Sequence, residues 1–192
     1  NEHSETSGAR LNAIVARTSL VSLARGTTVG FRYYLSVEAG GMGGTSYRLT
    51  QTNGQAPPTT MYWACHSTTS GVRIFQWSDQ FSARRADVTR AIPTWAAGPG
   101  SSPGPDGRDW IGSDDHRITG GFFSSATEAG FLWGSRHNGS SRPQSYVRVC
   151  LFRPSDRTVY ATRDIWNSAV DLAYPAVGVN ALGHKGVVVA MG

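Results

Sequence analysis

Short segments of alternating apolar and polar residues recur along the chain. Within Phe31–Ser36, the side chains of Phe31, Tyr33 and Leu35 alternate with those of their neighbours. A period of two predicts a β-strand with one buried face. Comparable short runs predict strands at 11–16, 28–37, 47–52, 59–64, 71–77, 115–123, 130–134, 144–152, 158–163, 175–180 and 186–191.

Turn-forming residues separate these strands. Asn53-Gly54 favours a tight hairpin turn, and Gly98–Gly107 is so rich in proline and glycine that it predicts an exposed loop. The strand pattern resumes after that loop, so it does not mark a boundary between domains. The only helical turn that the pattern favours lies near Asp164–Ala173. The sequence therefore predicts one all-β region over residues 1–192.

An internal repeat indicates how the strands are arranged. Strand-like segments recur with the same order of aromatic, arginine and aliphatic residues: Met61–Cys65 and Gly71–Phe75, then Phe131–Ser135 and Tyr146–Cys150. Trp63 aligns with Trp133, 70 positions later, and Arg73 aligns with Arg148, 75 positions later. A repeat of this length that holds about four short strands is typical of a β-propeller blade.

The predicted fold is therefore a set of β-propeller blades, each a four-stranded antiparallel sheet. The approximate blades are 1–58 (partial), 59–123 and 124–192, which amount to about two and a half blades and leave the ring incomplete. The alternative is one β-sandwich built from two duplicated halves.

Composition narrows the class of protein. Charged residues make up 16% of the chain and six tryptophans are present, which argues against disorder. The net charge is +5, but the basic residues are scattered, so we expect no nucleic-acid partner. No apolar run is long enough to predict a membrane span. The chain begins at Asn1 with neither Met nor a leader-like segment, so we expect it to be processed or part of something longer.

Part of the chain resembles a known family. The residues concerned are Leu132-Trp133, Tyr146–Val149, Ile165–Asn167, and the strand Tyr174–Asn180 with its glycine-punctuated hairpin. They resemble secreted bacterial propellers of the broad sialidase-like kind, over roughly residues 59–192. The resemblance implies a secreted or cell-surface protein whose remaining blades come from a longer chain or an assembly. The chain lacks a complete Ser-x-Asp-x-Gly-x-x-Trp box, and the family's catalytic residues map onto no specific positions here.

The densest polar cluster is Asp114-Asp115-His116, followed by Arg117. Paired carboxylates can bind a hard cation or act as general acid and base. In a strand, however, adjacent side chains point to opposite faces, so only one of the two would face a given site. An ordinary aspartate-rich turn is the alternative.

The tryptophans fall into two groups by their surroundings. Trp63, Trp77 and Trp133 follow strand patterns and are expected to pack between sheets. Three others flank loops and are candidates for stacking on a ligand: Trp95, Trp110 and Trp166. With the polar cluster, the candidate ligand-binding residues are Trp110, Asp114, Asp115, His116, Arg117 and Trp166.

The remaining reactive side chains predict no metal site and no cofactor. Cys65 and Cys150 lie within apolar strand-like runs and are expected to be buried free thiols, with a disulfide between them as the alternative. His66 and His184 are expected at a loop edge and a hairpin tip.

These features favour a non-enzymatic binding or surface module whose loops contact a ligand of unknown identity, either a glycan or a surface protein. The rival function is a glycan hydrolase or lyase of the sialidase-like type. In that function Asp114 or Asp115 would be the acid or base, and Arg117 would bind an anion. A third function is a structural component of a larger envelope assembly.

Overall fold

The computed structural model describes residues 2–3, 10–36, 48–52, 59–78, 85–98, 100–112 and 116–192. Their strands are β1 (Glu2–His3), β2 (Arg10–Arg17), β3 (Arg32–Ser36), β4 (Arg48–Leu49), β5 (Gln51–Thr52), β6 (Thr60–Thr68), β7 (Gly71–Ser78), β8 (Ala86–Ala91), β9 (Ile118–Ser125), β10 (Glu128–Ser135), β11 (Tyr146–Phe152), β12 (Val159–Ile165), β13 (Leu172–Val179) and β14 (Lys185–Met191). A short helix, α1 (Leu20–Ala24), and one 3-10 turn (Gly139–Ser141) complete the elements of these residues.

The strands form four sheets in chain order. Sheet 1 is β1-β2-β3, sheet 2 is β4-β6-β7-β8, sheet 3 is β12-β11-β10-β9-β5, and the C-terminal hairpin is β13-β14. All pairings are antiparallel except β5 with β9. Sheet 2 is a four-stranded antiparallel sheet and sheet 3 contains a four-stranded antiparallel meander, as predicted for propeller blades. In the described part of the chain, the sheets form an open stack and not a closed ring.

Sheet 3 buries both of its faces. Phe131, Trp133 and Phe152 pack against sheet 2, while Leu132 and Val147 on the opposite face pack against the C-terminal hairpin. A sandwich of two sheets would leave the outer face of each sheet in solvent. Burial of each large apolar side chain contributes about 1.5–3 kcal/mol, so the two packed faces are the main stabilising feature of the stack.

The repeat is visible as equivalent faces of successive sheets. Trp63 on β6 faces sheet 1 and stacks on Phe75, with ring centroids 5.4 Å apart. Trp133 on β10 faces sheet 2, which is again the preceding sheet. The residue opposite Trp133 is Arg148, whereas the residue opposite Trp63 is Phe75. The two tryptophans therefore share a face, but they lie two positions out of register when the arginines of β7 and β11 are aligned.

The helical turn predicted near Asp164–Ala173 was wrong. Residues 164 and 165 end β12, residues 172 and 173 begin β13, and bends connect them. The helix lies at Leu20–Ala24 instead, where the Ser19 hydroxyl caps it by accepting from the Ser22 N–H over 3.3 Å. Asp164 does not cap a helix because its carboxylate is paired with arginine across the sheet.

Candidate functional site

One end of the stack carries the connections that hold the four predicted ligand-binding residues that the structure describes, namely Trp110, His116, Arg117 and Trp166. Because strand direction alternates, every second connection lies at the same end of a meander. The connections at this end are residues 69–70, 92–117, 136–145 and 166–171, and we call it the loop end. Two of them are in direct contact, since the Arg136 N–H donates to the Ala96 carbonyl over 3.2 Å.

The predicted residues lie in separate contacts at the loop end. Trp110 packs against Tyr174, His116 against Trp95, and Trp166 against Arg142. Arg117 is half-buried. Asp114 and Asp115 lie outside the described residues, so no role as acid, base or ligand-binding residue is assigned to them.

Tyr174 is the functional candidate that sequence reasoning missed. Its ring centroid lies 6.1 Å from that of Trp110, and its hydroxyl donates to the Trp110 carbonyl over 3.3 Å. Its backbone has φ +53°, a left-handed conformation that costs an L-residue about 1–2 kcal/mol. The strand register shifts between Ala173 and Ala176, so a bulge turns this ring outward. A proline inside a predicted strand, here Pro175, was the sequence signal for such an irregularity.

Trp110 is held from two further directions. The Asp109 carboxylate accepts from the backbone N–H groups of Ser102 and Ile111 over 2.9 and 3.2 Å, which folds the proline-rich loop around it. These hydrogen bonds, the one from Ser102 above all, lower the pKa of Asp109. The backbone of Gly192 lies against the indole of Trp110, where a Cβ atom would collide with the ring. The ring is therefore fixed although it lies in a loop.

Trp166 is exposed over 44% of its surface and has an arginine on one face. The Arg142 guanidinium lies 4.6 Å from the ring centroid, within the range of a cation–π contact. Arg142 in turn pairs with the Asp164 carboxylate over 3.1 Å.

Arg148 connects this group to the neighbouring sheet. Its guanidinium donates to both carboxylate oxygens of Asp164 over 2.8 and 3.1 Å. A third nitrogen donates to the carbonyls of Pro93 and Thr94 over 2.8 and 3.1 Å. Hydrogen bonding to Asp164 raises the pKa of Arg148 against the opposing effect of burial. Arg148 thus ties the 92–117 connection to the end of β12.

Trp95 and His66 are buried, which corrects two predictions. Trp95 is only 2% exposed, so it cannot stack on a ligand from solution. His66 does not lie at a loop edge, because its side chain points inward from β6. The centroid of its imidazole ring lies 4.6 Å from the ring centroid of Trp95 and 4.7 Å from that of Trp133. Burial, together with the nearby charge of His116, lowers the pKa of His66 to about 3. The imidazole is therefore neutral over the ordinary pH range.

Buried polar atoms without hydrogen-bond partners are concentrated at the loop end. They belong to His66, Trp95, Trp133, Arg142, Ser145 and Tyr146, whereas Arg157 alone carries such atoms at the opposite end of the described structure. A folded chain keeps few such groups, because each costs about 1–3 kcal/mol. Their concentration marks the loop end as the part of the described structure where polar groups are least satisfied.

Cys65 and Cys150 are not joined by a disulfide, and they lie on opposite sides of sheet 2. Cys65 packs toward sheet 1 and Cys150 packs between sheets 2 and 3, so a whole sheet separates them. Burial raises the pKa of Cys150 to about 12. In the described part of the chain, no three His, Cys, Asp or Glu residues are grouped as metal ligands.

Among the residues that the structure describes, no helix has the length and apolar character needed to cross a membrane. Comparison with family models, with curated proteins and with solved structures found no match to this chain.

Proposed function

We propose that this protein is a binding module whose loop end recognises a ring-bearing ligand, with glycans as the ligand class. The observation that carries the proposal is the Trp110–Tyr174 pair. Sugar rings present flat apolar C–H faces, and aromatic side chains bind such faces by stacking.

The local structure supports a dedicated binding surface formed by the rings of Trp110 and Tyr174, which we call the platform. Tyr174 is 42% exposed although its backbone is strained, and strain in an exposed residue is costly unless the surrounding structure imposes it. Trp110 is fixed by the loop around Asp109 and by Gly192. A ring pair that is held rigidly before binding loses little conformational entropy when a ligand arrives.

The stacked sheets support the same function. Binding residues are commonly placed on loops that a rigid scaffold positions. Here the platform combines the 92–117 connection with the first residues of β13, and both lie on sheets with closely packed faces. The proposal keeps the secreted or cell-surface location that the family resemblance implies, and cell fractionation tests it.

A glycan array tests the proposal directly. We expect the labelled protein to bind a defined set of oligosaccharides, and Trp110→Ala and Tyr174→Ala to weaken that binding at least about ten-fold. Tyr33→Ala is the matched control, because Tyr33 is an exposed aromatic residue on sheet 1. If folded wild-type protein captures no glycan, or if Tyr33→Ala reduces binding as much as the platform variants do, the proposal is wrong.

A further inference from the structure

We infer that Trp166 forms a second ring-binding position at the loop end, so that the ligand is an oligosaccharide of several linked rings. This inference rests on the proposed function, because it assigns an additional position to the same ligand. A single sugar would occupy only the Trp110–Tyr174 pair.

The first support is the exposure of Trp166. The Arg142 guanidinium covers one face of the indole, and nearly half of the side chain is still accessible. The accessible part is therefore the opposite face with its edges, which is the geometry that a stacking ring requires.

The second support is the rigidity of the residues behind Trp166. Arg142 is fixed by the Asp164 carboxylate and by donation to the Ser141 carbonyl over 2.6 Å. Asp164 is fixed in turn by both bonds from Arg148. The side chains of Asp164 and Arg148 are only 10% and 9% exposed, so solvent screens this pair little. An exposed indole backed by such a network is prepared for binding before the ligand arrives.

The third support is the distance to the first platform. Trp166 and Asp171 are five residues apart, so their Cα atoms are separated by no more than about 18 Å. The backbone of Asp171 pairs with Gly192 in both directions, over 2.9 and 3.2 Å, and Gly192 lies against Trp110. The indole of Trp166 lies against Arg142, whereas that of Trp110 lies against Tyr174. The two indoles therefore have separate surroundings at the loop end. A chain of linked rings can extend between them.

The test measures affinity against ligand length. The probes are the oligosaccharide that wild-type protein binds most tightly on the array and its trisaccharide, disaccharide and monosaccharide fragments, titrated by calorimetry. We expect Trp166→Ala to weaken the longest probe about ten-fold and to leave the affinity for the shortest binding fragment unchanged. Trp110→Ala should weaken every length. Trp166→Phe, which keeps a ring, should restore most of the affinity for the longest probe.

The outcomes separate the two proposals. If Trp166→Ala leaves the affinity of every length unchanged while Trp110→Ala weakens all of them, the second position is wrong and the binding function remains. An equal loss at every length also contradicts a second position. If wild-type protein binds no glycan of any length, the proposed function falls, and the second position falls with it.

Discussion

Arg148 and Asp164 lie directly opposite each other on β11 and β12, and the guanidinium of Arg148 donates to both oxygens of the Asp164 carboxylate. Sheet 2 contains a different ion pair, in which Arg73 donates to Asp87 over 2.8 Å although Thr89 is the residue directly opposite Arg73. The two pairs differ in burial. The side chains of Arg73 and Asp87 are 31% and 24% exposed, whereas those of Arg148 and Asp164 are 9% and 10% exposed. Arg148 additionally binds two backbone carbonyls of the 92–117 connection. An arginine–aspartate pair thus connects neighbouring strands in both sheets, and in sheet 3 its arginine also holds the loop end.

Substitution of Arg148 tests this difference. We expect Arg148→Met to lower the free energy of unfolding by about 3 kcal/mol, because two backbone carbonyls lose their donor and the buried Asp164 carboxylate keeps only its contact with Arg142. Arg73→Met, at the more exposed site, should cost about 1 kcal/mol or less. Urea denaturation followed by circular dichroism measures both values. Equal losses in the two variants would show that burial does not distinguish the pairs.

Acid should weaken the packing around His66. Its pKa in the folded protein, about 3, lies below the ordinary value of 6.5, so the unfolded chain binds the proton more tightly between these values. The stability of the neutral state is complete above pH 6.5 and decreases as the pH falls toward 3. Between pH 6.5 and pH 5 this one group should account for a loss of about 2 kcal/mol.

The variant that isolates this effect is His66→Phe. The unfolding free energies of wild type and variant are measured from pH 7 to pH 5. Relative to the variant, wild type should lose about 2 kcal/mol of stability as the pH falls over this range. His184→Phe is the control, because His184 is exposed at the tip of the C-terminal hairpin. Parallel pH profiles for wild type and His66→Phe would contradict the prediction.

Features of the fold that depend on residues close together in the sequence could be predicted, whereas features that depend on contacts between distant segments could not. Most strands and the repeat were predicted because alternation within eight residues indicates which side chains a sheet buries. Alternation gave the wrong buried face at the start of β3, where Phe31 and Tyr33 are 64% and 61% exposed. The strand at 71–77, for example, is β7 with one residue added. His66 was misplaced because β6 was predicted to end at Ala64. In the observed strand, alternation from Tyr62 and Ala64 places His66 on the buried face.

The site was less predictable, since loops of one sheet meet residues of another. Trp95 flanks a loop in sequence, but that loop folds over the end of sheet 3 and buries the ring against Trp133. Tyr174 was not selected because a bulge, which short-range alternation does not reveal, turns its ring toward Trp110. Trp166 is exposed and Trp110 is half-buried, and the role of both residues in binding stays a prediction.

Tyr174 allows backbone strain to be measured apart from the loss of its ring. Both Tyr174→Ala and Tyr174→Gly remove the side chain, but only glycine adopts φ +53° without a steric cost. We therefore expect the glycine variant to be more stable than the alanine variant by about 1 kcal/mol. This order is the reverse of the usual one within a strand. An alanine variant at least as stable as the glycine variant would show that the backbone at 174 carries no strain.

Both thiols should be unreactive in the folded protein. Cys65 and Cys150 are buried, and a pKa of about 12 leaves almost no thiolate on Cys150 at neutral pH. Ellman's reagent should therefore label neither cysteine in buffer and both in denaturing urea. Rapid labelling of one thiol before unfolding would contradict the burial of that side chain.

Among the described residues, the C-terminal hairpin packs against sheet 3 on one face and has exposed residues on the other, whereas sheet 3 is packed on both faces. Val188, for example, is 71% exposed on its outer side. A layer gains stability from the layers that it touches, so we expect the hairpin, whose outer side is exposed, to open at a lower free energy than sheet 3. Amide protons of β14 should consequently exchange with deuterium sooner than those of β10. Opening would begin with the hairpin. It would disturb the Trp110–Tyr174 platform, whose tyrosine lies on β13, before it reaches sheets 2 and 3.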